Sequence, residues 1–180
     1  GIVSGSPVSA SGVAEGDQAS ANLGMSVASA GDVNGDGYDD VIVGAPYFDP
    51  PGAGMADAGG AFILLGSANG LNSSGTLLAS TRLLNDQPTL RFGESVGTAG
   101  DTNGDGYAEV VVGAIFYQAG QTAEGAAFVF SGGPGGVPHG GPATASARLE
   151  SNQTGARMGA CVGSAGDVNG DSYADVLVGA

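Results

Sequence analysis

Three stretches of this chain align without a gap: LGMSVASAGDVNGDGYDDVIVGA from Leu23, FGESVGTAGDTNGDGYAEVVVGA from Phe92 and MGACVGSAGDVNGDSYADVLVGA from Met158. Their leading aspartates, Asp32, Asp101 and Asp167, stand 69 and 66 residues apart. Downstream, GGAFILLGSANG from Gly59 matches GAAFVFSGGPGG from Gly125, and a truncated third copy opens the chain as GIVSGSPVSASG. A chain that repeats itself at this period is built from stacked supersecondary units, because one unit cannot bury its apolar face alone. Gly takes 36 positions and Pro 8, a level near that of low-complexity chains. Here the glycines and apolar runs recur at fixed places, which a disordered chain does not require.

Each unit reads as β structure. Short runs at 25–30, 41–44, 110–113 and 176–179 are small or β-branched and end at glycine. Further strands are expected at 61–65 and 127–130, with more polar outer strands at 81–84 and 145–149. No window carries a sustained 3.6-residue apolar period with caps, so helices are not expected. Four antiparallel strands in about 65 residues is the content of one β-propeller blade. The expected fold is therefore all-β, with about three blades: 1–22 as the second half of a preceding blade, 23–90, 91–157, and 158–180 as the first half of another.

The chemistry lies in Asp32-Val33-Asn34-Gly35-Asp36-Gly37-Tyr38-Asp39-Asp40 and its two copies. Oxygen-bearing side chains fall at loop positions one, three, five and nine, with a backbone carbonyl at seven. Calcium takes about six to eight hard oxygen ligands, and a short loop folded round the ion supplies them from alternate residues. Glycine at position six permits the sharp turn. An Asx/Gly hairpin turn without metal is the plain alternative, and three copies in register weigh against it. An EF-hand begins with the same spacing but needs a bidentate Glu at position twelve and flanking helices. Position twelve is Val43, Val112 and Val178, each within a β-branched run, so that reading fails.

Charge narrows the function. There is no lysine, and four arginines face 18 acids for a net charge of -14. Nucleic acid and anionic lipid both demand Lys/Arg, so partners of those kinds are excluded, and no apolar stretch approaches the ~18 residues of a membrane span. The lone cysteine, Cys161, alternates with Val162 in an apolar run and is expected as a small buried hydrophobe. Gly1 begins in mid-pattern with neither a basic leader nor an initiator Met, which fits a processed chain or a piece of a longer one.

These motifs resemble the FG-GAP repeat of the integrin α-subunit propeller and its bacterial relatives; the lysine-free, Gly/Ala-rich composition leans toward the latter. Phe92-Gly93 keeps the first signature, where Leu23-Gly24 and Met158-Gly159 carry another large apolar residue. Gly44-Ala45-Pro46 keeps the second, Gly113-Ala114-Ile115 lacks its proline, and Gly179-Ala180 ends the chain. The resemblance implies a loop joining the first two strands of each blade and binding Ca²⁺, up to three ions in all. Its ligands are expected to be Asp32, Asn34, Asp36, the Tyr38 carbonyl and Asp40; Asp101, Asn103, Asp105, the Tyr107 carbonyl and Glu109; and Asp167, Asn169, Asp171, the Tyr173 carbonyl and Asp175. Glu109 is one methylene longer than the usual Asp, and Ser172 stands where the turn glycine belongs. Nine of the 18 acids are then ligands, and three ions would bring the formal charge to -8.

The resemblance also implies that loops opposite the calcium face meet a protein or glycan ligand. Tyr47-Phe48 and Phe116-Tyr117 open such loops and are candidates either for recognition or for packing between blades. Segments 15–22, 85–90 and 151–157 border the same face. His139 lies in a Gly/Pro turn with no acid or nucleophile beside it, and no G-x-S-x-G elbow is present, so no enzyme is expected. Asn72-Ser73-Ser74 and Asn152-Gln153-Thr154 fit a glycosylation sequon, a motif common by chance. Two functions stand: a calcium-stabilised extracellular adhesion or binding module, secreted or on a cell surface, and a structural unit whose copies complete each other's blades head to tail.

Overall fold

The computed structural model describes residues 13–51, 54–71 and 79–180. The expected strands at 1–12 and the sequon at Asn72 lie outside the described residues. Among the described residues, ten strands form three antiparallel sheets. The first contains β1 (Ser26–Gly31), β2 (Asp40–Ala45), β3 (Gly60–Leu64) and β4 (Thr81–Leu84), and the second β5 (Phe92–Gly100), β6 (Glu109–Ala114), β7 (Ala126–Phe130) and β8 (Ala147–Glu150). The third pairs β9 (Cys161–Gly166) with β10 (Asp175–Gly179). In each full blade the strands pair in chain order, which is the meander read from the repeat. Apart from one 3₁₀ turn at Pro142–Thr144, the described residues hold no helix. That turn displaces the outer strand of the second blade, which begins at Ala147 rather than at 145.

The inner strands stand side by side, β1 against β5 and β5 against β9, so blades stack through their first strands. This crowding explains the two glycine signatures. A Cβ on Gly44 would drive into the carbonyl oxygen of Gly93, and one on Gly113 into that of Gly159. The glycine that closes the second strand of one blade and the glycine that opens the next blade thus face each other across a seam. The large residue before the opening glycine is an anchor: Phe92 is fully buried, with Phe128 and Phe130 rings at 5.9 and 6.1 Å. Ile42, Ile63, Leu83, Val96, Val110 and Val112 complete that core.

The outer edge of the first blade is covered. The segment after β7 runs along β4, with Gly140 forming a parallel bridge to Leu83, and Val137 buried beneath. His139 belongs to this cover, its Nδ1 accepting the Arg82 backbone N–H at 3.0 Å. Shielding an edge strand in this way removes a template for unwanted pairing.

One expectation is overturned. Cys161 is exposed, not buried. Its strand belongs to the two-stranded sheet, and among the described residues no further blade packs on the face it presents.

Candidate functional site

Each first strand ends in the same irregularity. The register slips between Ser29 and Gly31, between Thr98 and Gly100, and between Asp175 and Val176 on the partner of β9. Such a bulge bends the strand and re-aims the residue that follows it, here Asp32, Asp101 and Asp167. Each of these aspartates turns inward and gathers the loop's backbone. Asp32 Oδ1 accepts from Gly35 N and Asp36 N at 2.7 and 3.1 Å, and Oδ2 accepts from Gly37 N at 2.8 Å. Asn34 Oδ1 accepts from Asp36 N, and Asp36 Oδ1 from Tyr38 N, both at 3.0 Å. The pattern recurs at Asp101, Asn103 and Asp105 and at Asp167, Asn169 and Asp171.

Position six takes a left-handed conformation in every copy, with φ of 88° at Gly37, 89° at Gly106 and 76° at Ser172. The first two are glycines and adopt it freely; Ser172 does so against the preference of an L-residue. The Ser172 N–H, followed by those of Gly170, Asp171 and Asn169, holds the Asp167 carboxyl below the usual carboxylate range.

The position-nine carboxylate does something the spacing did not reveal. Asp40 is 0% exposed. Its Oδ2 accepts from Val33 N at 2.9 Å and its Oδ1 from Gly66 N at 2.8 Å, tying the loop to the residue just past the third strand. Burial pushes the Asp40 carboxyl above its ordinary range, the Gly66 and Val33 N–H groups pull it back, and the charges of Asp36 and Asp32 add to the push. Glu109, 1% exposed, uses its extra methylene to make the same clamp. Its Oε2 accepts from the Thr102 N–H and hydroxyl, both at 2.8 Å, and its Oε1 from Asn103 Nδ2 and Gly132 N, both at 3.3 Å. Asp175 accepts from Val168 N at 2.8 Å.

Positions one, three and five are therefore brought together in each loop, while position nine is turned onto backbone amides at the loop's base. Among the described residues no group of three or more His, Cys, Asp or Glu side chains is drawn close enough to cage an ion unaided. The donor chemistry nonetheless suits a hard cation: two carboxylates, an amide oxygen and a carbonyl, with no sulfur or imidazole. A carboxylate offers about four lone-pair sites, so the two-bond clamp of Asp40 leaves two for another positive partner, whereas the four bonds to Glu109 occupy all of its own.

Successive loops are joined. Ala108 N donates to Asp32 O at 3.0 Å, and Ala174 N to Asp101 O at 2.9 Å. The Tyr107 ring lies over Gly35 and the Tyr173 ring over Gly104, where an added Cβ would come within 2.7 Å of either ring.

At the opposite ends of the strands the aromatic pairs divide their roles. Phe48 packs on Phe62 with centroids 5.2 Å apart, and Tyr117 on Phe128 at 5.1 Å. Tyr47 and Phe116 are half-buried and meet arginine instead. Arg91 lies 4.7 Å from the Tyr47 centroid and 5.0 Å from that of Phe116, and Arg157 lies 5.5 Å from Phe116. Packing between blades thus accounts for these side chains through an alternating stack of rings and guanidinium groups. Arg91 and Arg157 each directly precede a blade's opening signature, but their ring partners lie far off in the sequence.

Tandem four-stranded meanders, stacked through glycine-rich first strands and each carrying an acidic loop between its first two strands, define a repeat protein of the β-propeller type. The FG-GAP repeat profile matches residues 23–64 and 92–130. Integrin alpha-5 of Xenopus laevis is 32% identical over 166 residues, covering 92% of this chain and 15% of that protein. Integrin alpha pat-2 of Caenorhabditis briggsae is 35% identical over 163 residues (83% and 12%), and human integrin alpha-7 is 34% identical over 166 (91% and 12%). The chain carries FG-GAP repeats and is homologous to integrin α subunits. It spans only about 12 to 15% of the length of these relatives. No helix among the described residues is long and apolar enough to cross a membrane.

Proposed function

We propose that this chain is a calcium-stabilised extracellular binding module of the adhesion type, without catalytic activity of its own. The observation that carries the reading is the threefold recurrence of one hydrogen-bonded acidic loop, in which positions one, three and five converge although the carboxylates at one and five repel each other. A divalent cation offsets that repulsion and the cost of burying Asp40 and Glu109.

The residues that would hold an ion are Asp32, Asn34, Asp36, Tyr38 through its carbonyl, and Asp40, with Asp101, Asn103, Asp105, Tyr107 and Glu109, and Asp167, Asn169, Asp171, Tyr173 and Asp175, in the other loops. What calcium supplies there is charge compensation and rigidity. Because the loops are hydrogen-bonded to one another, stiffening one steadies its neighbour. Loops of this modest ligand count suit the abundant calcium outside cells, which supports a cell-surface or secreted setting. A protein or glycan ligand would meet the opposite face, where Tyr47, Arg91, Phe116 and Arg157 stand; kinship with integrin α subunits supports adhesion as its use.

Thermal unfolding with and without chelator tests the reading. Ligand binding to the folded state alone adds RT ln(1 + [L]/Kd) per independent site. Millimolar calcium should therefore raise the melting temperature over that in EDTA, and magnesium should do so less. An identical melt in both conditions overturns the proposal.

A further inference from the structure

Independently of that reading, the acidic loops govern a reaction that asparagine undergoes without an enzyme. Four asparagines of this chain precede glycine: Asn34, Asn69, Asn103 and Asn169. Three are position three of the loops, and the fourth stands in the turn after β3. Glycine has no Cβ to shield its amide nitrogen, so that nitrogen can close on the side-chain carbonyl carbon of the asparagine before it. In the first loop the Gly35 nitrogen, its proton given up to solvent, would bond to Asn34 Cγ while the Cγ–Nδ2 bond breaks. Nδ2 leaves as ammonia after taking a proton from water. Water then opens the cyclic imide. Cleavage at Cγ leaves aspartate, and cleavage at the main-chain carbonyl leaves isoaspartate, whose backbone runs through Cβ and Cγ. The net change is amide plus water to carboxylate plus ammonium, with nothing oxidised or reduced.

The loops hold the groups this closure needs. The Gly35 N–H donates to Asp32 Oδ1 at 2.7 Å, the Gly104 N–H to Asp101 Oδ1 at 2.6 Å and the Gly170 N–H to Asp167 Oδ1 at 2.7 Å. Stripping that proton forfeits a hydrogen bond to a charged acceptor and sets an amide anion against a carboxylate. The side-chain oxygens of Asn34, Asn103 and Asn169 are engaged as well, accepting the N–H two residues on at 3.0, 2.8 and 2.9 Å. In the first two loops even the leaving nitrogen is tied, Asn34 Nδ2 to Asp36 Oδ2 at 2.9 Å and Asn103 Nδ2 to Glu109 Oε1 at 3.3 Å. Burial is not the guard, since Asn103 and Asn169 are exposed, as Asn69 is. Asn69 has no such restraint. The Gly70 N–H donates to a neutral carbonyl, Ser67 O at 2.9 Å, and the Asn69 side chain makes no hydrogen bond.

We infer that position three of each acidic loop is a latent site of deamidation, held shut by the leading aspartate two residues before it, whereas Asn69 is open to the reaction in the folded chain. The products alter the loop in different ways. Aspartate at position three sets a third carboxylate beside those at one and five and adds one negative charge. Isoaspartate lengthens the main chain by one methylene, so the turn that presents the N–H groups of Asp36 and Gly37 to their acceptors is lost. A loop that stays open long enough to react is therefore changed for good.

Peptide mapping by mass spectrometry tests this, with isoaspartate scored by enzymatic methylation. The parent chain is aged at neutral pH, folded in calcium-containing buffer and, separately, unfolded in concentrated urea. In urea the four sites should convert at similar rates. In the folded chain Asn69 should stay close to its rate in urea, and the three loop sites should be slower by roughly tenfold or more, the factor that one hydrogen bond to a charged acceptor sets. Asp32→Ala should raise the Asn34 rate by about that factor and leave Asn103 slow, and Asp101→Ala should do the reverse, so each variant carries its own control for folding. Where a variant loses its blades by circular dichroism, the ratio between folded and unfolded parent carries the decision. Loop asparagines that convert as fast as Asn69 in the folded parent overturn the inference. So does a folded Asp32→Ala chain whose Asn34 is no faster than before.

Discussion

Replacing Asp40 by alanine isolates the clamp from the metal, provided the measurement is made in excess EDTA. The substitution leaves two buried N–H groups, Val33 and Gly66, without the acceptors they hold at 2.9 and 2.8 Å. An orphaned buried donor costs about 1–3 kcal/mol, so the pair should cost roughly 2–6 kcal/mol. The gain from no longer burying a carboxylate that resists ionisation acts in the opposite direction and favours the lower half of that range. For a chain of this length each kcal/mol moves the melt by about 2–4 °C, giving a fall of roughly 6–12 °C for a loss near 3 kcal/mol. Asp40→Asn keeps one acceptor oxygen but sets an amide N–H₂ against the second donor, so its loss should be intermediate. Differential scanning calorimetry of parent, Asp40→Asn and Asp40→Ala, all without calcium, gives the ranking. If Asp40→Ala melts within about 2 °C of the parent, the carboxylate is not the tie between loop and third strand, and its only remaining use is toward an ion.

Three further substitutions probe separate parts of the account. Gly44→Ala should destabilise by about 2 kcal/mol or more, because its Cβ enters the Gly93 carbonyl across the seam. Gly133→Ala, where nothing lies within 4 Å of the added atom, should stay within about 0.5 kcal/mol by urea titration. Ser172→Gly relieves an L-residue at φ 76° and should gain roughly 1 kcal/mol without metal. The same substitution should also tighten calcium at the third loop, checked by comparing titrations of the two proteins.

The strands and loops were legible because their signals are local and repeated: β-branched runs end at glycine, and one nine-residue oxygen pattern recurs three times. The strand bounded at 81 and 84 was met residue for residue, and the acidic loops fell between the first two strands as the repeat required. What stayed hidden depends on partners distant in sequence. Asp40 meets Gly66 and Glu109 meets Gly132, so position nine reads as a ligand when taken alone and as a brace once the third strand is in place. Glu109 tolerates its longer side chain for the same reason, reaching Thr102 and Asn103 as well. Cys161 looked apolar in its run, and it is apolar in its setting, but burial depends on the next blade rather than on the strand. The ring–guanidinium stack joins Tyr47 to Arg91 across 44 positions, beyond any local pattern.

The central claim is that three recurring acidic loops each hold a calcium ion and that the blades depend on it. Isothermal titration of the chelator-stripped chain with calcium counts those ions directly. The account predicts three per chain, falling to two when Asp32 and Asp36 are both replaced by asparagine. The absence of binding heat and of stoichiometric uptake at millimolar calcium contradicts it.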